Sequence, residues 1–295
     1  MPLSNSFDDL TVEKLTDELA ALGYIADRGL ATSLYISIKL GRPILLEGEV
    51  GVGKTELAKT VATLFGRSLI RLQCYEGIDT NQALYEWDYA RQMLQIRAMS
   101  GASQGESSVD ELFGPKFLIE RPLLQAIRAG DQSVLLIDEV DRADDEFEAF
   151  LLEILSDFQI SIPEIGTVKA ASRPIVILTS NRTRELHDAL KRRCLYNWIG
   201  FPAAAQELEI VQSRIPGISQ ALAEKVVAAV NTLRGMDLEK SPGVAETIDW
   251  VRSLDAIGAD ELTIDNAEQT LGAVIKGRDD LEFAHSNIAE IVTGL

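Results

Sequence analysis

The residues best suited to chemistry stand in one short run, GEVGVGKT, at positions 48–55. The run fits the pattern of a loop that wraps nucleotide phosphates, because glycines let the backbone curl until several N–H groups point at one phosphate. Lys54 would place its charge on the β- and γ-phosphates, and the Thr55 hydroxyl could ligate Mg²⁺. A glycine-rich turn with an incidental lysine is the alternative. The predicted nucleotide-binding residues are Gly48, Glu49, Val50, Gly51, Val52, Gly53, Lys54 and Thr55.

Two acids, Asp138 and Glu139, follow the apolar run Val134–Ile137. Such a run is typical of a central parallel strand, and ligands bind where strands of this kind end. We predict that Asp138 holds Mg²⁺, directly or through water, and that Glu139 orients or deprotonates the attacking water. Two solvated acids at a strand end are the alternative, which the phosphate loop upstream disfavours.

Asn181 ends a further apolar strand, predicted at 174–181. An amide in this position could hold the lytic water or the γ-phosphate by hydrogen bonds, so we predict a catalytic role. The alternative is a helix cap, because asparagine is favoured at the residue before a helix.

A basic cluster follows in an otherwise acidic chain: Arg182, Arg184, Lys191, Arg192 and Arg193. It could be an exposed helical face, a nucleic-acid patch, or the source of an arginine finger offered to the nucleotide of another subunit. We favour the finger, from Arg192 or Arg193. Adjacent helical residues point about 100° apart, so one of the two would reach.

An α/β architecture should position these residues. We predict strands at 43–47, 68–74 and 195–201 beside those already described, and a hairpin at 159–170. From residue 202 onward only helical patterns remain, and four or five short helices would fit. The stretch 85–116 shows no clean period, and its polar part, 100–108, reads as an exposed, mobile loop. The remaining predicted helices are 11–22, 26–40, 54–65, 117–128, 147–158 and 185–193.

Composition narrows the possible functions. The chain has 295 residues and a formal charge of −18, which argues against a general nucleic-acid binder, although a local basic channel stays open. Its apolar runs are too short to span a membrane, and its first residues lack a signal-peptide pattern. Cys74 and Cys194 are expected to be buried packing residues in a cytoplasmic protein. No His/Cys cluster has zinc-ligand spacing.

Together these motifs resemble the AAA+ ATPases, most closely the MoxR type and its subgroup associated with maturation of aerobic carbon monoxide dehydrogenase. The resemblance rests on the loop at 48–55, the predicted hairpin at 159–170 and four sequence segments: Leu135–Ala143, Ile175–Asn181, Ala189–Cys194 and Ser241–Trp250. It implies a P-loop core at 1–201, with a parallel five-stranded sheet of order 5-1-4-3-2, and an all-α lid at 202–295.

The same resemblance implies a homo-oligomer, a hexameric ring with ATP and Mg²⁺ bound between neighbours. It implies a helix-2 insert at about 85–116 that touches clients. A partner with a von Willebrand A domain and a metalloenzyme client, such as a molybdenum hydroxylase, would complete the system. Nucleic acid is an unlikely partner because of the charge of −18.

One position departs from the family pattern. Gly243 stands where the third lid helix commonly begins with a sensor arginine, and Arg252 lies nine residues on, about 13 Å along a helix. Either another residue would sense the γ-phosphate, or the lid would be coupled more weakly to the bound nucleotide. Arg142 could also contribute across a subunit interface. Tyr24 and Ile25 could flank the base, although ordinary core packing is favoured.

Two other classes of function remain open at this point. One is a nucleic-acid-dependent motor or nuclease-associated subunit that uses the basic cluster. The other is a nucleotide-dependent scaffold with negligible turnover. The two adjacent acids favour an enzyme over a scaffold.

Overall fold

The computed structural model describes residues 9–100 and 112–294, with backbone alone at 98–100. Contacts divide the chain into two interleaved units. Of the described residues, the first unit contains those up to Thr11, together with Thr32–Glu47 and Ala58–Asn197. The second contains Val12–Ala31, Gly48–Leu57 and Trp198–Leu295. The phosphate loop thus groups with the C-terminal part of the chain, and the division at residue 201 stays a prediction.

Nine strands occur in the described residues, in three sheets. The main sheet has five strands in the order β2-β5-β8-β1-β9, which is the predicted order 5-1-4-3-2 read from the other edge. The pairs β1–β8, β5–β8 and β2–β5 are parallel. The strands are β1 Ile44–Gly48, β2 Ser68–Gln73, β3 Tyr85–Trp87, β4 Leu118–Glu120, β5 Ser133–Asp138, β6 Gln159–Ile162, β7 Gly166–Lys169, β8 Ile175–Ser180 and β9 Leu195–Ile199.

Helices precede, connect and follow these strands. They are α1 Val12–Ala21, α2 Arg28–Leu40, α3 Lys54–Phe65, α4 Thr80–Ala83, α5 Tyr89–Ser100, α6 Pro122–Ala129, α7 Asp145–Asp157, α8 Asp188–Arg193, α9 Ala204–Arg214, α10 Gln220–Gly235, α11 Val244–Ala256, α12 Ile264–Val274, α13 Arg278–Ser286 and α14 Ile288–Thr293. Within the described residues, no helix has the length and hydropathy of a membrane span.

The centre of the first unit is the strand pair β5–β8, in which every residue is buried. Their register pairs Ile137 with Leu178, and β1 pairs Glu47 with Ser180. The three strands therefore end at one edge of the sheet, as parallel α/β sheets require for a binding site. Asp138 is the last residue of β5, so its position at this edge follows from the register.

The second unit has its core in helices α9–α14, which we call the lid. Trp250 is fully buried there, and its indole Nε1 donates to Thr270 Oγ1 at 2.8 Å. The lid has six helices, so the prediction of four or five was wrong. Asn287 ends α13 and precedes α14, so one helical stretch is divided into two helices. The apolar periodicity of the sequence does not indicate this boundary.

The predicted hairpin at 159–170 is confirmed, with β6 and β7 antiparallel. The predicted helix 117–128 was wrong at its start. Residues 118–120 form β4, which pairs with β3, and α6 begins at Pro122. Proline fits the first helical position and holds Arg121 before it in an extended conformation, with φ −97° and ψ 170°. The polar loop predicted at 100–108 falls almost entirely outside the described residues, as does part of the predicted insert.

Candidate functional site

The phosphate loop joins β1 to α3 and takes the curled path that the sequence predicts. Gly51 has φ +78° and Gly53 has φ +95°, values that glycine adopts without strain. Gly48 is required by space, because a Cβ there would lie 2.0 Å from the Ile199 carbonyl oxygen. The helix starts within the loop, where Leu57 N–H donates to Gly53 O at 3.1 Å. The N-terminal end of α3 therefore adds its positive dipole to the loop.

Lys54 is the buried charge of this loop, 7% exposed. Its Nζ donates to the carbonyl oxygens of Gly48 at 2.7 Å and Glu49 at 2.6 Å. The ammonium group therefore lies against the first residues of the loop, where it closes the curl. A phosphate held by the loop would meet a positive charge that the protein has already positioned.

A cavity of about 400 Å³ adjoins the loop within the second unit. This volume is in the range of small-molecule sites. Its wall combines the segment after α1, the loop and the lid. Gln206 Nε2 donates to Ile25 O at 3.0 Å, and Arg214 Nη2 pairs with Glu56 Oε1 at 2.8 Å. The lining includes Tyr24, Ile25, Asp27, Gly51, Val52, Gly53, Glu56, Ile210, Arg214, Ile248 and Arg252.

Tyr24 and Ile25 both line this cavity. Tyr24 is 8% exposed, and burial raises the pKa of its hydroxyl, with Asp27 and Glu56 adding to the effect. Its ring lies beside Gly53, where a Cβ would be 3.7 Å from Cε2. Tyr24 is therefore a packing residue of the loop and a wall of the cavity at once.

The two acids lie in the first unit and share one threonine. Thr179 Oγ1 donates to Asp138 Oδ1 at 2.6 Å, and the Glu139 N–H donates to the same Oγ1 at 2.9 Å. Asp138 Oδ2 also accepts from Arg71 Nε at 2.9 Å, and Arg71 Nη2 lies 2.6 Å from it. Glu139 has a left-handed backbone, φ 54°, and pairs with Arg142 Nε at 2.9 Å. Arg142 thus contacts the predicted base within its own chain.

Sequence reasoning missed Thr179 and Asp141. Thr179 is 1% exposed, and the available signal was a polar residue in an otherwise apolar strand. Asp141 Oδ2 accepts from the backbone N–H groups of Asn181 at 3.2 Å and Thr183 at 2.8 Å, and from the Thr183 hydroxyl at 2.8 Å. Asp141 therefore fixes the loop on which the Asn181 side chain stands.

The basic cluster divides into residues with different roles. Arg184 pairs with the fully buried Glu148 and donates through Nε to Ala143 O at 2.9 Å, so it is part of the packing. Arg193 Nη1 donates to Leu152 O at 2.6 Å. The Arg192 side chain is exposed, while its carbonyl oxygen accepts from Arg42 Nη2 at 2.9 Å. Arg192 is therefore better placed than Arg193 to contact another chain.

Both cysteines are buried, as predicted. Burial raises the pKa of the Cys74 thiol to about 12, and the nearby Asp138, Asp141 and Glu139 add to the shift. Burial also raises the pKa of Cys194 to about 12. Both thiols therefore stay protonated and unreactive at neutral pH. Among the described residues, no group of three His, Cys, Asp or Glu side chains is arranged to hold a metal ion.

Comparison with known proteins agrees with this geometry. Residues 43–194, just over half of the chain, match the AAA domain, dynein-related subfamily. The ATP-dependent Clp protease ATP-binding subunit ClpL of Staphylococcus aureus (strain bovine RF122 / ET3-1) is 33% identical over 146 residues, and that of strain USA300 is 32% identical. The match covers 48% of this chain but spans only 18% of the length of these relatives.

A solved structure of a RuvB mutant from Thermotoga maritima is also similar. It superposes with a TM-score of 0.51 at 18% identity, covering 98% of this chain and 79% of that one. At this level of identity the likeness concerns the fold alone.

Proposed function

Because this chain belongs to the AAA+ ATPases, in the dynein-related subfamily of AAA domains, we propose that it binds ATP at residues 48–55 and hydrolyses it. The observation that carries the proposal is the glycine-curled loop with buried Lys54 at the end of a parallel strand. A cavity of nucleoside size adjoins the loop. The proposed base contacts are therefore Tyr24 and Ile25, and the proposed phosphate contacts are the loop N–H groups and Lys54.

Magnesium is the proposed metal, with Thr55 as a direct protein ligand and Asp138 as a residue that holds the ion directly or through water. The donor set fits, because Mg²⁺ prefers hydroxyl and carboxylate oxygens and keeps several waters. Both Asp138 oxygens already accept hydrogen bonds, from Thr179 and Arg71, so we assign Asp138 to a water-mediated contact. When bound, the ion would neutralise charge on the β- and γ-phosphates.

Glu139 is the proposed general base for the attacking water. Its backbone is tied to Thr179 and its carboxylate to Arg142, so the group is oriented before a nucleotide arrives. The side chain is 31% exposed, which leaves it accessible to water. Asn181, on the loop fixed by Asp141, is proposed to hold the same water or the γ-phosphate.

Assembly into a ring, hexameric as in the family it resembles, is proposed to complete the site. The exposed Arg192 would act as an arginine finger on the nucleotide of a neighbouring copy, an effect of about 10³–10⁵ in rate. The basic cluster does not favour a nucleic-acid partner, since Arg184 is paired with the buried Glu148 and the chain carries a charge of −18.

The use of this energy is proposed to be protein remodelling. Relatives named as ATP-binding subunits of a Clp protease support an action on proteins. The sequence segments that resemble the MoxR type support a more specific proposal. In it, the protein acts in the maturation of a metalloenzyme, such as a molybdenum-containing carbon monoxide dehydrogenase, together with a partner that carries a von Willebrand A domain.

The experiment that tests the function is multiple-turnover phosphate release by the Glu139→Gln variant. We expect kcat to fall at least about a hundredfold while ATP binding persists, because only the base is neutralised. Glu146→Gln is the matched control, an exposed acid near the start of α7 that should keep parental turnover. A parent protein that releases no phosphate beyond one turnover would favour the scaffold instead.

A further inference from the structure

The start of lid helix α11 touches the phosphate loop directly, backbone to backbone. The N–H groups of Val244 and Ala245 donate to Gly51 O at 3.1 and 3.4 Å. Gly243, just before the helix, leaves room for this contact. A Cβ on Gly243 would lie 2.7 Å from Val50 O and 2.8 Å from the Gly51 Cα. Its φ of −82° suits any residue, so glycine is required here by space and not by conformation.

A closed set of buried hydrogen bonds holds the start of α11 in place. Arg234 Nε donates to Pro242 O at 2.8 Å, and Thr247 Oγ1 lies 3.1 Å from Gly243 O. Glu207 accepts from both of these residues, at 2.6 and 2.8 Å from Arg234 and 2.6 Å from Thr247. Glu207 is fully buried, and the Arg234 side chain is 8% exposed. Charge-assisted bonds in such surroundings are strong, so the lid presents Gly243 and Val244 rigidly.

The contact bears on one peptide group of the loop. A trans peptide is planar, and its C=O and N–H point in opposite directions. When α11 holds the Gly51 oxygen on the lid side, the N–H of Val52 in the same plane must point away from the lid helix. In a loop of this kind, phosphate is held by backbone N–H groups that are turned toward it.

We propose that the first residues of α11, Gly243 and Val244, are positioning residues that aim the Val52 N–H at the bound phosphates. The lid thereby acts on the phosphates through the backbone of the loop, in a chain that has glycine where a sensor arginine is common. Any displacement of α11 would release the Gly51 carbonyl and loosen the grip on phosphate. This inference rests on the proposed function, because it assigns a role within the ATP-binding loop.

The test compares two variants with one control. Gly243→Ala inserts a methyl group into the loop backbone. Val244→Pro removes one donor at the first helical position, where proline is favoured and the helix persists. Gly272→Ala makes the same change as the first variant elsewhere in the lid, at a place where a Cβ meets nothing within 4 Å. Each protein is titrated with the non-hydrolysable triphosphate AMP-PNP plus Mg²⁺, and separately with adenosine, after thermal unfolding shows that it is folded.

We expect AMP-PNP affinity to fall at least about tenfold in Gly243→Ala, because the added methyl group breaks the whole contact between α11 and the loop. In Val244→Pro we expect a fall of about three- to tenfold, which corresponds to the loss of one hydrogen bond. Adenosine affinity should stay within about twofold of the parent, because adenosine carries no phosphate, and Gly272→Ala should match the parent for both ligands. Parental AMP-PNP affinity in the two variants, or equal losses for AMP-PNP and adenosine, would overturn the inference. If Gly243→Ala does not fold, Val244→Pro carries the test. A parent that does not bind AMP-PNP would instead overturn the proposed function.

Discussion

Thr179→Val is the perturbation that examines the arrangement of the two acids most selectively. The Thr179 hydroxyl bridges them, donating to Asp138 Oδ1 at 2.6 Å and accepting from the Glu139 N–H at 2.9 Å. Valine has nearly the same shape, and the side chain is buried in the central strand β8, so the packing is retained. The substitution therefore removes two hydrogen bonds and little else.

The size of the effect follows from the two bonds. A hydrogen bond to a charged group contributes about 1.5–3 kcal/mol and one to a neutral group about 0.5–1.5 kcal/mol, so the free energy of unfolding should fall by about 2–4.5 kcal/mol. The Glu139 backbone would also lose a tether. We expect kcat to fall at least about tenfold, equivalent to about 1.4 kcal/mol of barrier. ATP affinity should change by less than about twofold, because Thr179 lies outside residues 48–55.

The assay pairs urea unfolding followed by circular dichroism with steady-state phosphate release. Thr63→Val is the control, because Thr63 is exposed on α3 and its hydroxyl donates to the Lys59 carbonyl of the same helix, at 3.0 Å. A Thr179→Val protein that loses stability yet keeps parental kcat would refute the view that this hydroxyl positions the acids.

Two further predictions concern assembly and pH. Arg192→Ala should lower the kcat of the assembled protein about 10³-fold or more, whereas Arg278→Ala, an exposed arginine of the lid, should not. A parental specific activity that stays flat from dilute protein upward would contradict the finger. Cys74 titrates near its ordinary pKa of 9.0 in the unfolded chain but at about 12 in the folded protein, so stability should fall as pH rises through this interval. Between pH 8 and pH 10, the free energy of unfolding measured in urea should fall more steeply with pH in the parent than in Cys74→Ala. Equal slopes in the two proteins would contradict the raised pKa of Cys74.

Local sequence patterns were sufficient to predict the loop, the individual strands and the position of the acids at a strand end, whereas the order of the strands in the sheet came from the resemblance to the AAA+ ATPases. The spacing of glycines predicts a curled loop, and uninterrupted apolar runs predict buried parallel strands. Both features depend on residues that are close together in the sequence. The register that brings Asp138 to the edge of the sheet depends instead on how β5 pairs with β2 and β8. The start of α6 was predicted wrongly because the prediction followed the apolar periodicity back to residue 117. In the structure, Pro122 is the first residue of the helix.

The partners of the site residues could not be predicted in the same way. Thr179 and Asp141 act through contacts with residues about 40 positions away, and the packing of Gly243 on Gly51 spans nearly two hundred positions. Such contacts depend on how helices and strands pack and not on local propensity. The glycine at 243 was visible in the sequence as a departure from the family pattern, but its physical reason, the missing space for a Cβ, required the fold.

The most direct measurement is a crystal structure of the Glu139→Gln protein with ATP and Mg²⁺. We expect triphosphate density along residues 48–55, with the loop N–H groups and Lys54 Nζ within hydrogen-bonding distance of phosphate oxygens and the base beside Tyr24. Density for the nucleotide at another place, with this loop free of phosphate under saturating ATP, would contradict it.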